Sequence, residues 1–159
     1  MPRKGPVKPR DIEADPIYGS KLVAKLINRV MCDGKKGVAQ KQVYGALEII
    51  GQETKEDSVK IFNQAIENIK PDMEVRPRRV GGAAYQIPIP VRGPRRESLA
   101  IRWLIFAARA RSSSEFHTFA EKLAVEIMDA AKGGGGAVKK RQEMERVAEA
   151  NRAFSHFRW

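Results

Sequence analysis

Cysteine, histidine and aromatic residues are all scarce in this chain, and acidic residues are outnumbered by basic ones. The single cysteine, Cys32, excludes an internal disulfide and any multi-cysteine metal site. The two histidines, His117 and His156, show no H-E-x-x-H spacing and have no cysteine beside them, so no metal is expected. The nucleophile-elbow pattern G-x-S-x-G is missing. Gly34-Lys35-Lys36 lacks both the upstream glycine and the Ser/Thr of a phosphate-binding P-loop, and Val138 stands where the run from Gly133 would need the last glycine of a dinucleotide fingerprint. No cofactor and no catalytic residue can be read, and the chain is not expected to be an enzyme. No apolar run approaches the roughly 18–20 residues of a spanning helix, and no apolar stretch follows Met1 to Pro6. A membrane is therefore not expected as partner, and the setting expected for a lone thiol is a reducing cytoplasm.

Positive charge is what the chain has. Lys and Arg total 30 against 19 Asp and Glu, a net +11 over 159 residues, which points to a polyanionic partner. The densest stretch, Val75 to Arg96, holds six arginines and no acid. Its two extended arms flank Gly81-Gly82, and glycine reaches the positive φ of a tight hairpin. Pro77, Pro88 and Pro90 donate no backbone hydrogen bond, so neither arm can lie inside a sheet. The pattern predicts a projecting, positively charged ribbon over about 74–91.

Helical periods occupy most of the rest. Leu22, Val23, Leu26, Ile27 and Val30 form a first stripe, ending at Asp33-Gly34, with Cys32 expected to face the core near the helix end. Val43, Ala46, Leu47 and Ile50 form a second, closed by Gly51. Val59, Phe62, Ile66 and Ile69 form a third, capped by Asp57 or Ser58 and stopped by Pro71. Gly93-Pro94 opens a fourth helix over about 94–111, the most apolar (Leu99, Ile101, Trp103, Leu104, Ile105, Phe106) and expected at the centre of the core. Ser112 and Glu115 read as a capping box for a fifth, with Phe116, Phe119, Leu123 and Ile127 inward. After Gly133 to Gly136 a more polar helix runs over about 137–150. The fold class is mainly α: a single helical-bundle domain of about six helices over 17–159, with an extended β-hairpin inserted between helices three and four. Residues 1–16 read as a flexible basic arm.

The cations that could grip phosphates fall in clusters. They are Arg3, Lys4, Lys8 and Arg10 in the arm, Lys35 and Lys36 between the first two helices, and Arg76, Arg78 and Arg79 on the ribbon. Arg92, Arg95 and Arg96 stand at its exit. Arg95, Arg102 and Arg109 recur every seven residues on one face of the fourth helix, and Lys139, Lys140 and Arg141 open the last. The planar fork of arginine holds a phosphate through two hydrogen bonds. The glycine run before Lys139 adds backbone N–H groups at a helix start, a further expected anion site. Tyr85 offers either base stacking or packing against a neighbouring strand. Charge spread over a tail, a turn, a ribbon and a helix face suits an irregular folded RNA better than the single recognition helix of a DNA reader. A DNA-binding regulator and an RNA-modifying enzyme are the competing readings.

Asp33-Gly34-Lys35-Lys36, then Arg78-Arg79-Val80-Gly81-Gly82-Ala83-Ala84-Tyr85-Gln86, then Ala137-Val138-Lys139-Lys140-Arg141 and Ala148-Glu149-Ala150-Asn151-Arg152-Ala153-Phe154 resemble the bacterial small-subunit ribosomal protein seven family. The likeness runs from about Pro16 to Trp159. It departs at Pro90, where relatives often carry an acid, and in the four-glycine run. The resemblance implies a cytoplasmic, ribosomal protein that binds the 3′ major domain of 16S rRNA and nucleates assembly of the small-subunit head. It also implies a place near the exit site, with tRNA and mRNA close to Arg78, Arg79, Gly81, Gly82, Tyr85, Gln86, Lys140 and Arg152. Ribosomal proteins nine and eleven of the small subunit would be partners, and the free protein a monomer.

Overall fold

The computed structural model describes Gly5 and residues 11–157. Six α-helices and one two-stranded antiparallel sheet follow in the order α1 (Lys21–Val30), α2 (Lys36–Thr54), α3 (Ser58–Ile69), β1 (Met73–Val80), β2 (Ala83–Pro90), α4 (Gly93–Ala110), α5 (Phe119–Ala131) and α6 (Gly135–Ala150). A 3-10 turn over Arg152–Phe157 closes the described chain. The mainly helical class, and the hairpin between the third and fourth helices, are as the periodicity predicts.

Four of the six helices, α1, α3, α4 and α5, start where a side chain of the first turn or a fixed φ makes starting cheap. Ser20 accepts from the Val23 N–H at α1 and Asp57 from the Val59 N–H at α3, filling orphan donors of the first turn. Pro94 sits in the first turn of α4, where its missing N–H costs nothing. At α5 the expected cap is corrected. Thr118, not Ser112, accepts from the Glu121 N–H at 3.3 Å, and Glu121 accepts in return from the Thr118 N–H, giving a complete capping box. Ser112 spends its hydroxyl on Ser114, accepting from its N–H at 3.2 Å in a local turn. Likewise α2 runs through Gly51 to Thr54 and stops at Lys55, left-handed at φ 57°.

The core joins the inward stripes of all six helices. α4 and α5 share its centre: α5 packs on α2, α3, α4 and α6, and α4 packs on α1, α3 and α6. Phe106 departs from the apolar set expected of α4, being 68% exposed. The ribbon pairs Met73 with Pro90 through Val80 with Ala83. Its β1 strand leans on α6 and its β2 strand on the 3-10 turn, so its base and middle are supported rather than free-standing. Ahead of α1, Asp15 is buried and anchors the incoming chain. Its carboxylate accepts from the Ile17 and Tyr18 N–H groups at 3.2 and 3.1 Å and from the Tyr44 hydroxyl at 2.7 Å. Burial raises the Tyr44 phenol above its ordinary value first, and the bond to Asp15 adds to that.

Candidate nucleic-acid interface

The turn after α1 sets the first cationic cluster. Asp33 and Gly34 both take positive φ, 52° and 75°, which reverses the chain and leaves Lys35 and Lys36 exposed at the start of α2. Neither lysine holds an ion pair among the described residues. Cys32 lies in this turn and is exposed, a correction to the core-facing placement. α1 ends at Val30, so Cys32 has left the helix and no longer follows its apolar face; its thiol donates to the Val30 carbonyl at 3.6 Å. Arg109 reaches across from α4, its Nη2 donating to the same carbonyl at 3.3 Å and to Cys32 Sγ at 3.4 Å.

On α4, Arg95, Arg102 and Arg109 are all exposed, as a seven-residue recurrence demands. Arg102 has no ion pair among the described residues, whereas Arg95 and Arg96 are tied at the ribbon base. Glu74, only 5% exposed, accepts from Arg95 Nε at 3.1 Å and also pairs with Arg76. Arg96 donates to the Pro71 carbonyl at 3.1 Å and pairs with Asp72. These bonds fix the angle between ribbon and helix. Arg92 is exposed at the N-cap of α4 without capping it.

Toward the ribbon tip, Gly81 and Gly82 take φ 60° and 88°, the two positive values of a type I′ hairpin turn. Arg79 is exposed there, and Arg78 is half-buried opposite Tyr85 in the ladder. Of the two roles open to Tyr85, the structure shows packing, against the C-terminal turn rather than a strand. Its ring lies 5.1 Å from Phe154 and 5.7 Å from Phe157. Gln86 is exposed beside it and lines a groove with Lys140 of α6.

The start of α6 is organised by a buried acid. Glu126 on α5 is 1% exposed; its Oε1 accepts the Ala137 N–H at 2.9 Å and its Oε2 accepts Arg111 Nε at 2.8 Å. Arg111 also pairs with Asp129. Gly133 and Gly135 take φ 79° and 82° to wrap this carboxylate, and a Cβ on Gly135 would stand 2.9 Å from Glu126 Oε1. The anion expected at this helix start is thus the protein's own Glu126, which corrects the reading of the glycine run as an open anion site. Past it, Lys139 is exposed and without an ion pair among the described residues, while Lys140 bonds Glu143 at 2.7 Å. That bond holds the Glu143 carboxyl below its ordinary value. Arg141 is half-buried and donates to the Asn68 carbonyl of α3 at 2.7 Å, a docking bond between helices. Arg152 is exposed at the last turn and bonds Glu149 at 3.2 Å.

Through α1–α4, α4–α6, α6–β1 and β2–turn packing, the elements that carry these cations are linked one to the next. Arg3, Lys4, Lys8 and Arg10 lie outside the described residues. Glu126, Glu74 and Asp15 were missed by pattern reading. The signal for Glu126 was present, an acid among Leu123, Ile127 and Ala130 on the inward stripe of α5. Among the described residues no cluster of His, Cys, Asp or Glu could hold a metal ion, and no helix is long and apolar enough to cross a membrane.

Residues 2–152 match the family model described as Ribosomal protein S7p/S5e. The Small ribosomal subunit protein uS7 of Caldicellulosiruptor saccharolyticus is 59% identical over 159 residues, the whole of both chains. Those of Carboxydothermus hydrogenoformans and Dictyoglomus thermophilum are each 57% identical, again over the whole of both chains.

Proposed function

The chain belongs to the ribosomal protein S7p/S5e family, a non-enzymatic structural constituent of the small ribosomal subunit, and from that premise we propose that it is a primary binder of 16S rRNA. It attaches to the 3′ major domain, holds a multi-helix junction in shape and so nucleates assembly of the subunit head. The observation that carries this reading is a set of exposed cations without ion pairs. Lys35, Lys36, Arg79, Arg92, Arg102 and Lys139 are exposed on adjoining elements with no acid paired to them among the described residues. Unpaired surface cations repel one another, and phosphates relieve that repulsion while releasing counterions.

The ribbon, α6 and the C-terminal turn serve the exit-site ligands. Packing of Tyr85 on Phe154 and Phe157 supports this, because it gathers Arg78, Arg79, Gly81, Gly82, Gln86, Lys140 and Arg152 on one supported projection. tRNA and mRNA contact that projection, and ribosomal proteins nine and eleven adjoin it. The basic residues ahead of Asp11 add further phosphate contacts.

The test is a filter-binding titration at about 0.2 M salt, comparing an rRNA 3′ major-domain fragment with duplex DNA and unrelated structured RNA. A preference for the fragment of about a thousandfold or more is expected, the low end of specific over non-specific binding. Equal affinity for all three, collapsing together as salt rises, would reduce these cations to a generic polyanion footprint.

A further inference from the structure

Phe106 is the most exposed of the large apolar side chains among the described residues, at 68%, and it stands in a basic setting. One turn before it on the same stripe of α4 is Arg102, and one turn after it is Arg109. It also lines a groove of about 510 Å³ between α4 and the start of α6, with Trp103, Gly136, Lys139 and Lys140 on the walls. That volume is within the roughly 300–1,000 Å³ of small-ligand sites. Gly136 makes the groove possible by bringing α6 close to α4; a Cβ there would meet Ala107 Cβ at 3.2 Å. The two acids in its lining, Glu126 and Asp129, share the single guanidinium of Arg111, so one negative charge remains there, against the unpaired Lys139 on the α6 side.

We propose that this groove seats one unstacked nucleotide of the bound RNA, its base stacked on Phe106 and its flanking phosphates on Arg102 and Lys139. The inference rests on the rRNA-binding reading and adds a base-stacking site to it. An aromatic face suits any base, and cations on either side suit the backbone that must approach it. An acidic or purely apolar protein segment would match only one half of that chemistry.

The experiment compares Phe106→Ala, Phe106→Leu and Phe106→Trp with the native chain for binding the rRNA 3′ major-domain fragment over a range of salt. Because the side chain is exposed, the melting temperatures of the three variants are expected to match the native protein, so affinity is read on folded chains. Alanine and leucine are expected to weaken binding roughly tenfold to a hundredfold at an unchanged salt slope, since a stack is lost but no charge. Tryptophan is expected to bind within about twofold of native. Native affinity in the alanine and leucine variants, with the fragment still preferred over unrelated RNA, overturns the stacking site and leaves the rRNA reading intact. An alanine variant that binds RNA normally but fails to enter reconstituted subunits assigns the groove to a protein partner, which also overturns it. A native chain with no preference among RNAs sinks the underlying reading, and the inference with it.

Discussion

Glu126 shows how one side chain can decide where a helix begins. Its carboxylate is buried, caps α6 through the Ala137 N–H and holds Arg111 behind α4, so three segments meet at one acid. Taking away one partner of a buried pair leaves the other uncompensated, at about 3–5 kcal/mol. Arg111 keeps Asp129, which sets the expected cost of Glu126→Ala at the low end, about 3 kcal/mol. Urea unfolding should show that loss as a lower midpoint at an unchanged m-value; a midpoint within error of native would mean the carboxylate is dispensable. Periodicity puts this acid on the inward face of α5 but not its partners, because hydrophobic patterning says nothing of what a buried carboxylate bonds. Phe106 is the converse, an apolar residue that the composition of α4 assigned to the core and the helix geometry turned outward.

Among elements, α5 starts later than its first candidate box, and the cause is specific. The sequence holds two candidate boxes, Ser112 to Glu115 and Thr118 to Glu121, with the same chemistry. The second wins because Ser112 is committed to the turn at Ser114, and because Lys122 ties the loop to the Arg111 carbonyl at 2.9 Å and to Ser113 at 2.8 Å. Phe119, Leu123 and Ile127 keep their inward direction under either start, so the stripe was legible while its first residue was not. Bonds from Thr118, its side chain foremost, and then from the His117 N–H hold the Glu121 carboxyl below its ordinary 4.5. A depressed folded value contributes stability above that pH, and the contribution is lost as pH falls through the folded value. Apart from that carboxyl, Thr118→Ala removes an N-cap and should cost about 1 kcal/mol at neutral pH. The gap between variant and native should narrow on acidification below 4.5. Parallel stability curves from pH 7 to about pH 3 would show that the box does not couple to this carboxyl.

At the scale of the molecule the cations divide into two kinds that sequence cannot separate. Arg102 and Lys139 are exposed and hold no ion pair among the described residues, whereas Arg141 is half-buried and bonded to the Asn68 carbonyl. Each phosphate contact contributes about 0.7–0.9 to the slope of log affinity against log salt. The double variant Arg102→Ala/Lys139→Ala should flatten that slope by about 1.4–1.8 and leave the melting temperature near native. Arg141→Ala should do the reverse, lowering the melting temperature through the lost helix-docking bond while the slope of the folded protein holds. An unchanged slope in the double variant would remove both residues from the phosphate contacts. The ribbon arginines divide the same way, since Arg76 is held by Glu74 and Arg79 is not ion-paired among the described residues.

The sequence by itself determined the helical class, five apolar stripes, the hairpin at Gly81-Gly82 and the strongly positive net charge. Those follow from local rules: period, turn chemistry and net charge act within a few residues or sum over all of them. Tertiary structure decided which cap starts α5, that Cys32 and Phe106 face solvent, and that Glu126 occupies the glycine-rich helix start. It also decided that Tyr85 packs on the C-terminal turn and which arginines remain exposed without an ion pair among the described residues. Several of those depend on partners far away in the chain, Tyr85 with Phe154 or Arg141 with Asn68, and only packing brings them together.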